Sequence, residues 1–340
     1  VRIMARLRYA DAITSALREE MLADDRVFIA GEEVGQYLGT LGVTSGFLKE
    51  FGPMRVVDTP ISEVGILGLG IGSAMAGLRP VCEMMRMDFA MVAYDQVINH
   101  AAKIRYMFGG QFKVPMVIRG PSGVGRQLSA QHSQSLEVLF AHVPGLKVVM
   151  PATPADMKGL LKTAMRDDNP VIVMEALRLY FEKPDVLDAI LPGLSEVPDD
   201  PDFTVPFGKA NVLRAGTDVT LIGYSTMTIQ CLKAANILAQ EGISAEVVDL
   251  RTLLPLDMAT PIASIKKTHR AVVVQEQWGL YGCAAEISAQ IAERAFYDLD
   301  APVQRVTGAF VPMPFARNLE NISFPSEHDI VIAAKRTLGR

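Results

Sequence analysis

The sequence is poor in several features that define large classes of protein. It has three cysteines in 340 residues, Cys82, Cys231 and Cys283, far apart and without metal-ligand spacing. No disulfide framework or cysteine-zinc site is built into it, and a reducing compartment is expected. Positive charge is not in excess: 33 Lys and Arg stand against 38 Asp and Glu, a formal net charge of −5. That balance excludes a general nucleic-acid backbone binder, which carries a basic face. No uncharged stretch exceeds 15 residues, and one of that length, residues 64–78, holds five glycines; this is shorter than the about 20 apolar residues of a membrane span. The opening residues lack the apolar centre of a signal peptide, and Asp11, Glu19 and Glu20 come too early for an acid-poor transit peptide. The expectation is a cytoplasmic chain with neither membrane nor nucleic acid as partner. What is present is core: 49% hydrophobic and 21% charged residues exclude wholesale disorder. The length suggests about two domains.

The pattern alternates helices and strands. Helical spacing marks Tyr9–Leu22, Glu63–Ala76, Val92–Phe108, Leu136–His142 and Pro154–Arg166. Apolar runs at Val27–Ala30, Val56–Val57, Arg79–Met84, Val114–Arg119, Leu146–Met150 and Pro170–Glu175 read as strands between them. Residues 182–206 carry Pro184, Pro192, Pro198, Pro201 and Pro206 among acidic residues, and read as a linker. A second alternating unit comes next, with strands Val219–Tyr224, Ala245–Asp249 and Ala271–Gln275 and helices Thr228–Gln240, Met258–Lys266 and Ala284–Ala295. The expected fold is α/β, two doubly wound domains spanning 1–181 and 207–340.

Three fragments approach well-known motifs and fail. The stretch from Gly120 to Gln127 has the glycines of a phosphate-binding loop, but Arg126 and Gln127 stand where Lys and a magnesium-binding hydroxyl belong. Gly68, Gly70 and Gly72 resemble a dinucleotide fingerprint, yet Ser73 takes the third glycine position and Glu63 would repel a pyrophosphate. These glycines read as close helix packing. Gly223-Tyr224-Ser225-Thr226-Met227 comes after a strand like a nucleophile elbow, but Met227 replaces the second glycine.

The constellation with chemistry is the segment Asp58 to Gly68: strand, Pro60 turn, Ser62, then an almost wholly apolar helix with one carboxylate, Glu63, in its first turn. One reading is that Glu63 only complements the helix dipole. The other is that the glycines admit close backbone and leave Glu63 in apolar surroundings, where burial favours a protonated carboxyl able to share its proton.

Thr59-Pro60-Ile61-Ser62-Glu63 closely resembles the beta subunit of thiamine-diphosphate-dependent 2-oxo acid dehydrogenases of the pyruvate and acetoin type, with transketolase-like domains. So do Gly31-Glu32-Glu33-Val34, the run Ala74 to Pro80, Asp95-Gln96-Val97-Ile98-Asn99, Ala130-Gln131-His132-Ser133-Gln134, the run Pro144 to Val149 and Arg305-Val306-Thr307-Gly308. The likeness extends over nearly the whole chain. It implies that Glu63 hydrogen-bonds the aminopyrimidine nitrogen of the cofactor and controls a proton there. The cofactor attacks a 2-oxo carbonyl, carbon dioxide leaves, and the acyl fragment passes to a lipoyl group on the acyltransferase core. The resemblance further implies that Phe89 packs on the aminopyrimidine and that His132 assists acyl transfer. Gln96 and Glu32 (with Glu33) would line the cofactor cleft. Backbone carbonyls of Met116, Ala164, Met165, Asp167 and Asn169 would hold a potassium ion. Without the resemblance, Phe89 reads as core and His132 as a solvated loop residue.

The family's diphosphate signature, Gly-Asp-Gly, does not occur in the sequence. The chain is therefore expected to supply the pyrimidine half of the site. An alpha subunit would bring Mg2+ and the diphosphate half in an alpha2-beta2 tetramer. Pyruvate is the expected substrate, with acetoin and branched-chain 2-oxo acids as alternatives. Arg126 and Gln127 depart from the small residues expected before His132. A scaffold subunit and a free-standing nucleotide-dependent enzyme remain as readings from other classes.

Overall fold

Strands that read as unbroken apolar runs are covered on both faces, and two sheets of such strands organise the chain. The computed structural model describes residues 3–37, 39 and 41–340. Its first part contains β1 (Met4–Arg6), α1 (Tyr9–Ala23), β2 (Val27–Gly31), α2 (Phe47–Phe51), β3 (Val56–Asp58), α3 (Glu63–Met75) and β4 (Arg79–Glu83). Next come α4 (Ile104–Met107), β5 (Val117–Ser122), α5 (Glu137–Ala141), β6 (Lys147–Val149), α6 (Pro154–Arg166) and β7 (Val171–Ala176). The remainder begins with α7 (Pro184–Ile190), β8 (Glu196–Pro198), β9 (Asn211–Arg214), β10 (Val219–Gly223), α8 (Thr226–Gln240), β11 (Ala245–Asp249) and β12 (Thr252–Leu254). It closes with α9 (Ala259–Thr268), β13 (Ala271–Trp278), α10 (Cys283–Ala295), β14 (Gln304–Gly308), α11 (Arg317–Ser323) and α12 (Glu327–Thr337).

The first sheet has the order β12-β6-β7-β5-β4-β2-β3. Its strands are parallel except β12, which pairs antiparallel with β6 although it comes from the second half of the chain. The second sheet has the order β14-β13-β10-β11-β9, with β9 alone antiparallel. Every residue of β2, β5, β7, β10 and β11 is buried, as two-sided coverage requires. The α/β expectation of two doubly wound sheets is met. Among the described residues no helix is long and apolar enough to cross a membrane.

Three local expectations change. The single helix expected over Val92–Phe108 is instead a 3-10 turn at Met87–Ala93, a π-helical turn at Gln96–Ala101 and the short α4. The wider turn keeps Val97 and Ala101 both in the core. The proline-rich stretch 182–206 carries α7 and β8, and β8 pairs with β1 at Met4↔Pro198. The glycines of α3 also differ among themselves. A Cβ on Gly70 would lie 2.4 Å from Cys82 Sγ, so α3 needs that glycine to seat on β4, whereas a Cβ on Gly68 or Gly72 would meet nothing within 4 Å.

The order of the first sheet fixes where a site can form. The chain goes from β2 to β3 on one side, then returns to place β4 on the other side of β2. Such a reversal opens a crevice beyond the carboxyl ends of the strands. Those ends are held by a buried ionic cluster. Arg119 of β5 lies between Glu83 of β4 and Glu175 of β7, all three buried. Its Nη2 donates to Glu175 Oε2 at 2.7 Å, and the Tyr180 hydroxyl donates to the same carboxylate. Burial pushes the Glu83 carboxyl up although Arg119 pulls it down. The second sheet meets this edge through its own carboxyl ends. Tyr224, after β10, donates to Glu137 Oε1 at 2.7 Å, and Ser225 N donates to Met150 O at 3.0 Å.

These buried charges make stability sensitive to single substitutions and to pH. Arg119→Met should lower unfolding free energy by about 3–5 kcal/mol, because two buried carboxylates lose their counter-charge. The urea midpoint reports it, and adding Glu83→Gln should recover part of the loss. Asp249, at the end of β11, is pushed up to about 7 by burial and by the charge of Asp156, with one carboxylate oxygen unpartnered. Its unfolded value is about 3.9, so the folded state binds the extra proton between the two values. Stability should therefore decline as pH rises from about 4 to about 7 and then level. Asp249→Asn should flatten that slope in urea titrations at successive pH values.

Candidate active site

Four of the expected residues come after parallel strands at the reversal of the first sheet. Glu32 comes directly after β2, Glu63 opens the helix after β3, Phe89 lies in the turn after β4, and His132 lies in the loop after β5. The turn after β2 is fixed by Asp58, the last residue of β3. Its carboxylate accepts from Gly35 N at 2.6 Å and from Gln36 N at 3.0 Å. Glu32 is buried there, and its carboxyl is pushed up by burial and by the charges of Glu63 and Glu33.

Glu63 is the first residue of α3, and the Ser62 hydroxyl caps the helix by accepting from Gly65 N at 3.3 Å. The expected apolar surroundings of Glu63 are not formed by this chain itself. Glu63 is half-exposed, and Gly65, Gly68, Val64 and Leu69 on the same helix face outward or are partly open. Ile61, just before the cap, is also exposed. On this face Gly68 and Gly72 have open space where a Cβ would lie.

The rings of Phe89 and His132 meet edge to face, with centroids 4.9 Å apart and planes at 73°. Both are half-buried, so each keeps a face toward the crevice. Two charged neighbours fix this pair. Asp88 is buried; its Oδ2 accepts from Arg86 Nε at 3.0 Å and its Oδ1 from Gln134 N at 2.8 Å. Arg86 Nη2 in turn donates to Gly123 O at 2.9 Å. The turn bearing Phe89 and the loop bearing His132 are thus tied by one ion pair. Gln96 stands at the start of the π-helical turn, half-buried, rather than within a continuous helix.

Four of the five carbonyls expected to hold potassium already accept hydrogen bonds. Arg79 Nη1 donates to Met165 O and Asp167 O, each at 3.0 Å. Met116 O accepts from Val171 N at 3.0 Å, and Ala164 O from Asp167 N at 3.2 Å. The Asn169 side-chain oxygen accepts from Arg105 Nη1 at 2.5 Å. A monovalent cation would have to use the remaining lone pairs beside the Arg79 guanidinium. Among the described residues no group of three or more His, Cys, Asp or Glu is placed to hold a metal ion.

Sequence reasoning does not assign roles to Arg86, Asp88 or Arg119. A signal is present all the same: each is a charge inside an otherwise apolar run, and a buried charge needs a partner. A crevice with two carboxylates, an aromatic face and an imidazole can hold a flat nitrogen heterocycle and move a proton at it.

Comparison with known proteins identifies the domains and the family. Residues 5–182 match the family described as "Transketolase, pyrimidine binding domain", and residues 208–330 match "Transketolase, C-terminal domain". The mitochondrial pyruvate dehydrogenase E1 component subunit beta of Dictyostelium discoideum is 50% identical, over 97% of this chain and 90% of that protein. The corresponding subunit of Rickettsia felis is 48% identical over 96% of both, and the mitochondrial beta-1 subunit of Arabidopsis thaliana is 49% identical over 97% of this chain and 89% of its own. A solved structure titled "Split gene transketolase, inactive beta4 tetramer" has the same fold, with a TM-score of 0.74, 23% identity, and 98% and 99% of the two chains covered. With that identity sustained along both halves, the chain belongs to the family of pyruvate dehydrogenase E1 component beta subunits.

Proposed function

We propose that this chain is the beta subunit of a thiamine-diphosphate-dependent enzyme that oxidatively decarboxylates pyruvate and passes the acetyl group to a lipoyl group. The observation that carries the reading is the Phe89–His132 ring pair at 4.9 Å, at the strand-order reversal where Glu32 and Glu63 also come after their strands. The relatives named for pyruvate favour it over acetoin and branched-chain 2-oxo acids as substrate.

The residues present suit the pyrimidine half of the cofactor. Phe89 offers a ring face for stacking, and Glu63 offers a carboxyl at the edge of the crevice. When bound, thiamine diphosphate supplies the electron sink for decarboxylation. Glu63 holds and returns a proton at the pyrimidine nitrogen. Burial and the charge of Glu63 raise the Glu32 carboxyl beside it. His132 donates or accepts a proton as the acyl group leaves for the lipoyl sulfur, and Phe89 fixes its ring by edge contact.

The other half of the site comes from an alpha subunit, which holds Mg2+ and the diphosphate. The open glycine-rich face of α3, with exposed Ile61, Val64 and Leu69, supports this. A partner seated there would exclude water from Glu63. The assembly is alpha2-beta2 and docks on a dihydrolipoyl acyltransferase core. The carbonyls of Met116, Ala164, Met165, Asp167 and Asn169 would hold K+ through the lone pairs that their present donors, Arg79 among them, leave free.

Two measurements test this. In the assembled alpha-beta enzyme, Glu63→Gln should lower kcat for pyruvate oxidation by about 10²–10⁴-fold, with subunit association unchanged by size-exclusion chromatography. Full activity in that variant would sink the role of Glu63. Replacing K+ by a large organic cation should lower the thermal midpoint of the enzyme, and Arg79→Met should enlarge the effect. No dependence on K+ would remove the cation from the scheme.

A further inference from the structure

The loop from β5 to α5 carries His132 through backbone conformations that L-residues avoid. Gly123 and Gly125 have φ of +86° and +138°, and Arg126, Gln127 and Ser129 have φ of +68°, +56° and +64°. A segment with so many left-handed residues persists only where its surroundings over-determine it. Arg86 and Asp88 hold it from the first domain at Gly123 O and Gln134 N. The remaining grips come from the far side of the crevice, from β13 and from α11.

Glu276 Oε1 accepts from Val124 N at 2.5 Å, at the start of the loop. Gln277 Nε2 donates to Ser133 O at 3.0 Å, one residue beyond His132. Midway, Glu320 Oε1 accepts from Gln127 N at 3.2 Å and Arg317 Nε donates to Gln127 Oε1 at 3.0 Å. The Arg126 guanidinium lies 4.2 Å from the centroid of the Phe181 ring. Arg126 and Gln127, which depart from the small residues expected there, thus serve to anchor the loop. Gly123 suits this turn through its φ of +86°, and a Cβ there would fall 2.2 Å from Glu276 Oε1, displacing that carboxyl.

We propose that Glu276 and Gln277 are positioning residues for His132: β13 of the second sheet grips both ends of the strained loop and so sets where the imidazole stands against Phe89. The proposal rests on the reading of His132 as the residue that assists acyl transfer. Both side chains are buried, and both bond the loop through its backbone, at Val124 N and Ser133 O, rather than through the imidazole. Glu276 also interacts with Thr226, Arg178 and Glu137, and burial pushes its carboxyl up to about 7. Protonated or ionised, it retains an oxygen acceptor for Val124 N, and so does a glutamine in its place.

The division of labour predicts a split between two reactions of the assembled enzyme. Acetyl transfer to the lipoyl domain needs His132 in place; pyruvate oxidation with ferricyanide as acceptor bypasses that transfer. Glu276→Ala and Gln277→Ala should each lower kcat for lipoyl transfer about 10- to 100-fold, with the ferricyanide reaction within about twofold of wild type. Glu276→Gln should restore most of the transfer rate. His132→Ala is the reference. If it transfers normally, the reading of His132 falls, and this inference loses its target. If it fails while both alanine variants transfer normally, His132 stands and the positioning role is overturned. Equal loss in both reactions, without rescue by Glu276→Gln, would also overturn it by making the contact a general structural one. Should Glu276→Ala not assemble, Gln277→Ala, which removes one neutral hydrogen bond, decides by the same comparison.

Discussion

One guanidinium placed between two carboxylates governs the layout of this chain. Arg119 meets Glu83 at its own level of the sheet and Glu175 two residues further along β7, so β4, β5 and β7 are tied together near their carboxyl ends. Each of those strands leads into a segment that forms or supports the site: the Phe89 turn after β4, the His132 loop after β5, and the turn with Arg178 after β7. Three buried charges are a poor way to gain stability, because desolvation offsets most of the attraction. They are a good way to fix a register, since a displaced strand would leave a charge without a partner. The cluster is best understood as a gauge for the carboxyl edge.

With that edge fixed, the crevice divides its tasks by strand. The carboxyls come from the two strands on one side of the reversal, β2 and β3, and the rings from the strands on the other, β4 and β5. The Arg86–Asp88 pair couples the second set internally, and the second sheet closes over it from outside. No single loop has to fold correctly alone, because each is bonded to a neighbour with a different point of origin in the sequence.

Much of this is legible from the residues. Buried parallel strands announce themselves as apolar runs, and the helices that cover them by 3.6-residue spacing, so both sheets and the main helices can be placed within a few residues. Edge strands such as β1, β8, β9 and β12 are three or four residues long and have too little length to show a period. The 87–107 region has helical spacing of apolar residues but is broken by a π-helical turn, which sequence periodicity does not resolve. Glu63, Phe89 and His132 stand out by resemblance, and their meeting at one edge depends on strand order, which no local pattern encodes. The enclosure of Glu63 looks, in the sequence, like a property of its own helix, whereas the glycines it relies on face outward. Glu276 and Gln277 look like the ordinary polar end of a strand, because their partners lie more than a hundred residues earlier in the chain.

The antiparallel strand β12 has a consequence for how the chain comes together. It covers the edge of β6, yet the two are separated by α6, β7, α7, β8, β9, β10, α8 and β11 in the order of synthesis. Until residues 252–254 emerge, β6 presents a bare row of backbone donors and acceptors, the kind of edge on which strands of other molecules add. The nascent first sheet is thus safest when the second arrives without delay, and a chain cut short before β12 would be the form most exposed to self-association.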